Sequence, residues 1–232
     1  MDCITRAPLR FAALALGALL FADCLAAVAA TRAEEPDTWY VEGVAQGTNG
    51  FQVSHFWSKG RKLRSESVVA GHLVMTFVSG DTYYAIDGLS GVGVAIQRSP
   101  KALAADAKGG RPMANEGREL IARGAEKVGT ERIGGREVVV YRLTDAQGKH
   151  TAWVTNDPQQ LLVKLETFRR GEGESATTIF NYERGLEIPD SFFEPDARFT
   201  LERMTYQDYL TRIAKGPVGP VPVIHTDLLV GE

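Results

Sequence analysis

Glycines mark turns at nearly even intervals along the first half of the chain: Asn49-Gly50, Lys59-Gly60, Ala70-Gly71 and Gly80-Asp81. The runs between them have strand length, and they alternate. Phe51, Val53, His55 and Trp57 are interleaved with Gln52, Ser54 and Ser58, and only Phe56 breaks the pattern. Leu73, Met75 and Phe77 alternate with Val74, Thr76 and Val78. A side-chain period of two is that of a strand, and turns at this spacing are those of an antiparallel sheet. A second series follows around Gly134-Gly135, Gln147-Gly148, Asp157-Pro158 and Gly171 to Gly173. Its expected strands are Arg136–Thr144, Thr151–Thr155, Leu161–Phe168 and Ala176–Glu183.

Helix grammar separates the two series. Ser99-Pro100 is an N-cap followed by proline at the first helical position, and the alanine-rich Lys101 to Lys108 runs into Gly109-Gly110. Met113, Gly117, Leu120, Ile121 and Gly124 then fall at helical spacing. A third helix is expected after Thr205, where Asp208 completes a capping box. Its apolar stripe is Tyr206, Tyr209, Leu210 and Ile213, and Gly216-Pro217 ends it. Residues 216–232, rich in proline and glycine, predict an extended tail that packs along the domain or hangs loose. The fold class is mainly β with a few helices (α+β). An open sheet must hide its apolar face. It closes on itself, or it curls and covers one side with its helices, which leaves a groove.

Arg6 and Arg10 precede Phe11 to Ala22, a charge-free apolar run of signal-peptide length. Ala27-x-Ala29 and Val28-x-Ala30 both suit cleavage, so residues 1–30 are read as a removed export signal, 31–215 as one domain and the location as periplasmic. Two other outcomes stay open. An uncleaved anchor must carry Asp23 into the bilayer at a cost of a few kcal/mol, and a lipid-modified Cys24 must accept Asp23 where a small residue is usual. Both cysteines, Cys3 and Cys24, lie in this segment, so the mature chain offers no disulfide, thiolate metal site or thiol nucleophile. The formal net charge is −3. Removing Asp2, Asp23, Arg6 and Arg10 leaves it unchanged, and this balance speaks against a nucleic-acid partner.

Three runs of the second series, Gly134 to Leu143, Trp153 to Glu166 and Phe180 to Pro195, resemble the LolA/LolB-like superfamily of outer-membrane lipoprotein-sorting proteins. Gly134-Gly135-Arg136-Glu137-Val138-Val139-Val140-Tyr141-Arg142-Leu143 is similar to that family's "G-x-x-V-x-x-Y-x-L" strand. Trp153-Val154-Thr155-Asn156-Asp157 with Leu161 to Glu166 resembles its "W-V-D…L-P-L-K-x-E" hairpin. Phe180-x-Tyr182 with Ile188-Pro189-Asp190-Ser191-Phe192-Phe193-Glu194-Pro195 resembles its closing "Y…I-P-D-x-x-F-x-P". The likeness covers roughly residues 125 to 200 and implies a curled antiparallel half-barrel with a helical lid over a cavity for acyl chains. The residues expected to line that groove are Phe51, Val53, Trp57, Met75, Phe77, Val139, Tyr141 and Tyr182. In a closed barrel the same residues are core. Lys59, Arg61, Lys62 and Arg64 form the densest basic cluster, either a solvated hairpin end or a docking patch for a headgroup or partner.

No catalytic constellation competes with this reading. His55, His72, His150 and His225 are scattered and make no metal-ligand spacing. His225-Thr226-Asp227 is half a triad with no G-x-S-x-G elbow. Asp81 and Asp87 flank Tyr83-Tyr84, and each sits in a turn signal. Neither a dinucleotide fingerprint nor a Walker pattern occurs, so no cofactor is expected. Two functions remain. One is an envelope carrier of lipid or lipoprotein acyl chains that performs no chemistry. The other is a protein-binding or stress-sensing envelope scaffold on the same fold.

Overall fold

The computed structural model of the chain describes residues 38–47, 50–69, 71–107, 116–146, 148–171 and 174–231. Residues 1–37, with Cys3 and Cys24, lie outside them. So do Asn49, Ala70, Lys108 to Gly110, Met113, Gln147 and Gly173 among the turn and helix signals.

One mixed sheet organises the chain. The first meander is β1 (Thr38–Gly47), β2 (Gly50–Lys59), β3 (Lys62–Val69), β4 (His72–Ser79), β5 (Thr82–Asp87) and β6 (Val92–Gln97). The second is β7 (Glu126–Ile133), β8 (Arg136–Thr144), β9 (Gly148–Thr155), β10 (Leu162–Arg169) and β11 (Glu174–Arg184). Pairing of β11 with β1 joins them, and β12 (Thr200–Met204) adds to β6 in parallel. The order is β12-β6-β5-β4-β3-β2-β1-β11-β10-β9-β8-β7. The sheet is open and curled, with helices against it, which is the half-barrel expected.

The expected helices form where the caps place them. α1 (Pro100–Ala107) follows Ser99, whose Oγ accepts from the Ala102 N–H at 3.0 Å. α2 (Glu116–Ala122) stops at Gly124, which adopts φ 94° while Ala125 donates back to the Leu120 carbonyl. α3 (Tyr206–Ile213) starts on the full Thr205/Asp208 capping box. α4 (Asp227–Val230) is a single turn in the proline-rich segment.

Cross-strand partners share a face, so the register sorts every strand side chain. One face carries Val41, Phe56, Ser65 and Tyr182 in a continuous row across β1, β2, β3 and β11. The helices pack on this face. Its larger core joins Leu63, Val74, Val78, Tyr83, Val94 and Ile96 to Tyr209 of α3, Leu229 of α4 and Val218 and Val221 of the connecting segment. Its smaller core joins Val139, Val154 and Leu162 to Leu120 of α2. The segment from Gly216 is therefore packed. The Tyr83 hydroxyl donates to the Ile224 carbonyl, and the buried Arg98 donates through Nε to the Leu228 carbonyl at 2.7 Å while pairing with Asp106 at 2.6 Å. The opposite face has two clusters of its own, Met75-Phe77-Ile86 and Val138-Val140-Trp153-Val163.

Candidate functional site

The eight residues expected to line one groove lie on two faces. Phe51, Val53, Trp57, Met75 and Phe77 belong to the face without helices, and Val139, Tyr141 and Tyr182 to the helix-bearing face. Even the first five do not act together. Met75 and Phe77 are core, Trp57 is half-buried, and Phe51 is 70% exposed. The correction has a simple cause: alternation tells that a strand has two faces, and only the cover laid on the sheet tells which one is inside.

The basic cluster is engaged with the chain itself. A loop carrying a 3-10 turn at Asp190–Phe193 lies over β3 and β4. Lys59 and Lys62 both pair with Asp190, at 2.8 and 3.1 Å, and Lys59 also donates to the Ile188 carbonyl. Arg64 pairs with Glu66 at 2.5 Å, donates to the Phe192 carbonyl and stacks 4.2 Å from the Phe192 ring centroid. These cations hold the loop in place rather than form an open patch.

The candidate site is the middle of the helix-bearing face, between the two cores. β1 presents Val41, Gly43 and Ala45 there, β2 presents Ser54, Phe56 and Ser58, and β11 presents Phe180 and Tyr182. The floor is low. A Cβ built on Gly43 meets nothing nearer than the Phe180 ring at 3.8 Å. Buried hydroxyls lie beneath it. Ser58 and Ser65 are 1% and 0% exposed, and their Oγ atoms have no hydrogen-bond partner among the described residues; the same holds for the Tyr182 hydroxyl. Burial, with the Glu116 charge adding to it, holds the Tyr182 phenol well above its usual range, so it stays a neutral donor. The Ser67 hydroxyl is satisfied by Ser54 at 2.9 Å. At one margin the Arg184 guanidinium stacks on Trp39, 4.1 Å from its ring centroid. At the other, His225 meets the edge of Phe56 with centroids 5.2 Å apart.

The remaining constellations separate. Asp81 and Asp87 stand at opposite ends of β5, each turned into its own loop: Thr82 Oγ1 donates to Asp81, and the Leu89 N–H to Asp87. His225 is held below its usual pKa by burial, which Asp227 partly offsets, and its Nε2 has no partner among the described residues. His55 bonds the Tyr40 hydroxyl at 2.8 Å within a stack that includes Trp57. Among the described residues no three His, Cys, Asp or Glu side chains gather to hold a metal ion. Nor is any described helix long and apolar enough to cross a membrane.

No protein-family model and no curated protein matches the chain. Solved structures do. An uncharacterized conserved protein from Thermus thermophilus superposes with a TM-score of 0.50 at 8% identity, over 73% of this chain and 91% of that one. What is shared is the fold. The lipoprotein LppX of Mycobacterium tuberculosis gives a TM-score of 0.41 at 12% identity, covering 66% of this chain and 89% of that one. The MucA/MucB complex of Pseudomonas aeruginosa gives 0.41 at 15% identity, covering 69% of this chain and 56% of that one. The curled sheet with helices on one face is the architecture that the LolA/LolB-like resemblance implied. The sequence reading missed the site's polar floor, because small hydroxyl residues in a strand look like the solvent-facing half of an alternation.

Proposed function

We propose that the protein is an envelope carrier that holds an acyl chain along the middle of its helix-bearing face and performs no chemistry on it. The observation that carries this reading is the division of that face into two separate cores with a low floor between them. Val41, Phe56 and Phe180 offer apolar contact to methylenes. The hydroxyls of Ser58, Ser65 and Tyr182 lie buried beneath the floor without protein partners among the described residues, and such groups are the places where a bound group or an ordered water is to be sought. Burying about ten methylenes at roughly 0.8 kcal/mol each supplies about 8 kcal/mol, which ordering costs reduce to micromolar affinity or weaker. That is tight enough to shield a chain and loose enough to release it.

Two variants test the site. Ala45 is half-buried beside the floor, so the glutamate of Ala45→Glu reaches water while its charge faces the acyl path. It is expected to abolish binding of a fluorescent fatty acid with little change in the urea midpoint. Val139, 5% exposed in the smaller core, cannot hydrate a charge, and Val139→Glu should unfold the domain. Fatty-acid binding that survives Ala45→Glu, or a wild-type protein that extracts with no lipid and binds none, refutes the carrier.

A further inference from the structure

On the face of the sheet without helices, a cleft of about 510 Å³ opens at the β12 edge, beside the loop that leaves the 3-10 turn. The register places its walls. Phe77 pairs with Tyr84, Tyr84 with Ala95, and Ala95 with Arg203, so Tyr84 and Arg203 stand on one row of that face with only the small Ala95 between them. Leu201, two residues before Arg203, shares the face. With Phe199 and Tyr84 it packs on the Met75-Phe77-Ile86 cluster, and these three give the cleft an apolar wall. Three charged residues also line it: Glu194, Asp196 and Arg203. Asp196 is occupied, since Arg198 pairs with it at 2.7 Å and holds its carboxyl at a pKa of about 2. The other two are not. Among the described residues neither the Glu194 carboxylate nor the Arg203 guanidinium has an ion pair or a hydrogen bond, and they do not pair with one another although they line the same cleft. β12 ends the sheet, so no further strand lies beyond Arg203.

A single unpaired surface charge is ordinary. Two of opposite sign that line one cleft, stay apart and share an apolar wall are what a small zwitterion calls for. We infer that the cleft binds an apolar amino acid or dipeptide, its carboxylate on Arg203, its ammonium on Glu194 and its side chain against Tyr84, Phe199 and Leu201. The planar fork of arginine meets a carboxylate with two parallel N–H donors. A wholly apolar ligand would strip water from both charges and give neither a partner, which is costly. An acid without an amine would set its charge near that of Glu194, and an amine without an acid would do the same at Arg203. The volume is that of a small-molecule site. This inference stands apart from the carrier reading, since the cleft and the acyl path lie on opposite faces of the sheet.

The test titrates the purified full-length protein calorimetrically with the dipeptide leucyl-phenylalanine, with its N-acetylated form and with its C-terminal amide. Wild type should bind the free dipeptide, and each blocking group should weaken binding about tenfold or more, the worth of a hydrogen bond to a charged group. Arg203→Gln and Glu194→Gln change exposed side chains, so the urea midpoint should hold. In Arg203→Gln the free dipeptide should bind about tenfold more weakly and amidation should bring no further loss. In Glu194→Gln the same holds for acetylation. Ala45→Glu, beside the acyl path, should leave all three titrations unchanged, which separates this site from the carrier trough. No binding of the free dipeptide by wild type, equal binding of the blocked forms, either glutamine variant binding like wild type, or loss of dipeptide binding in Ala45→Glu would each overturn the inference.

Discussion

Gly117 shows how one hydrogen atom in place of a methyl sets the position of a helix. A Cβ there would come within 2.7 Å of a Val154 methyl and 3.0 Å of the Gln160 carbonyl. Alanine at this position improves helix propensity by about 1 kcal/mol, but overpacking a fitted contact costs about 1–3 kcal/mol. The clash involves backbone, so we expect the cost to prevail: Gly117→Ala should lower the urea midpoint. Gly129→Ala is the control. Nothing lies within 4 Å of its built Cβ, and the midpoint should hold or rise slightly. The glycine signals in the sequence were legible as turns at Gly60, Gly71 and Gly80, where φ is positive. Gly117 carried no such signal, because its reason for being glycine belongs to β9 and β10 rather than to its own helix.

At the scale of elements, the strand that misled is β2. Its apolar series Phe51-Val53-Trp57 looks inward by composition, yet the side carrying Ser54, Phe56 and Ser58 faces the helices. β4 explains why composition is a poor guide here. Both of its faces are apolar and both are covered, one by the C-terminal segment and one by residues near the 3-10 turn. The capping chemistry of α1 and α3, by contrast, was readable directly. So were β8 to β11, where turn residues and alternation agree. The segment from Gly216 has no period to read, and only its contacts reveal it as part of the core. His225 within it adopts φ 53°, and burial depresses its pKa. The unfolded imidazole titrates near pH 6.5. The folded protein resists that proton, so stability is intact above the unfolded value and is lost as pH falls toward the folded one. In His225→Asn, which tolerates the left-handed backbone, the slope of stability below about pH 6.5 should flatten. Urea titrations at several pH values would read it, and an unchanged slope would assign the dependence elsewhere.

For the whole molecule, the sequence predicts a mature chain that starts at Ala30 or Thr31 with no cysteine to alkylate. Intact mass of the exported protein reads this directly, and a species that keeps Cys24 with added acyl mass would make it a lipoprotein. The assembly of the sheet has a further consequence for the order in which the protein comes into being. The smaller core draws on residues between Leu120 and Phe180, so it can close on its own neighbourhood. The larger core cannot. Its cover is tied back across 141 residues from Ile224 to Tyr83 and across 130 from Leu228 to Arg98. Contacts this distant form late, because loop closure must come before they contribute. A chain that has emerged only as far as Met204 has every described strand and still lacks the cover of its larger core. The first meander, synthesised earliest, is thus the part that finishes last, and it stays exposed to proteases and chaperones until Leu229 arrives.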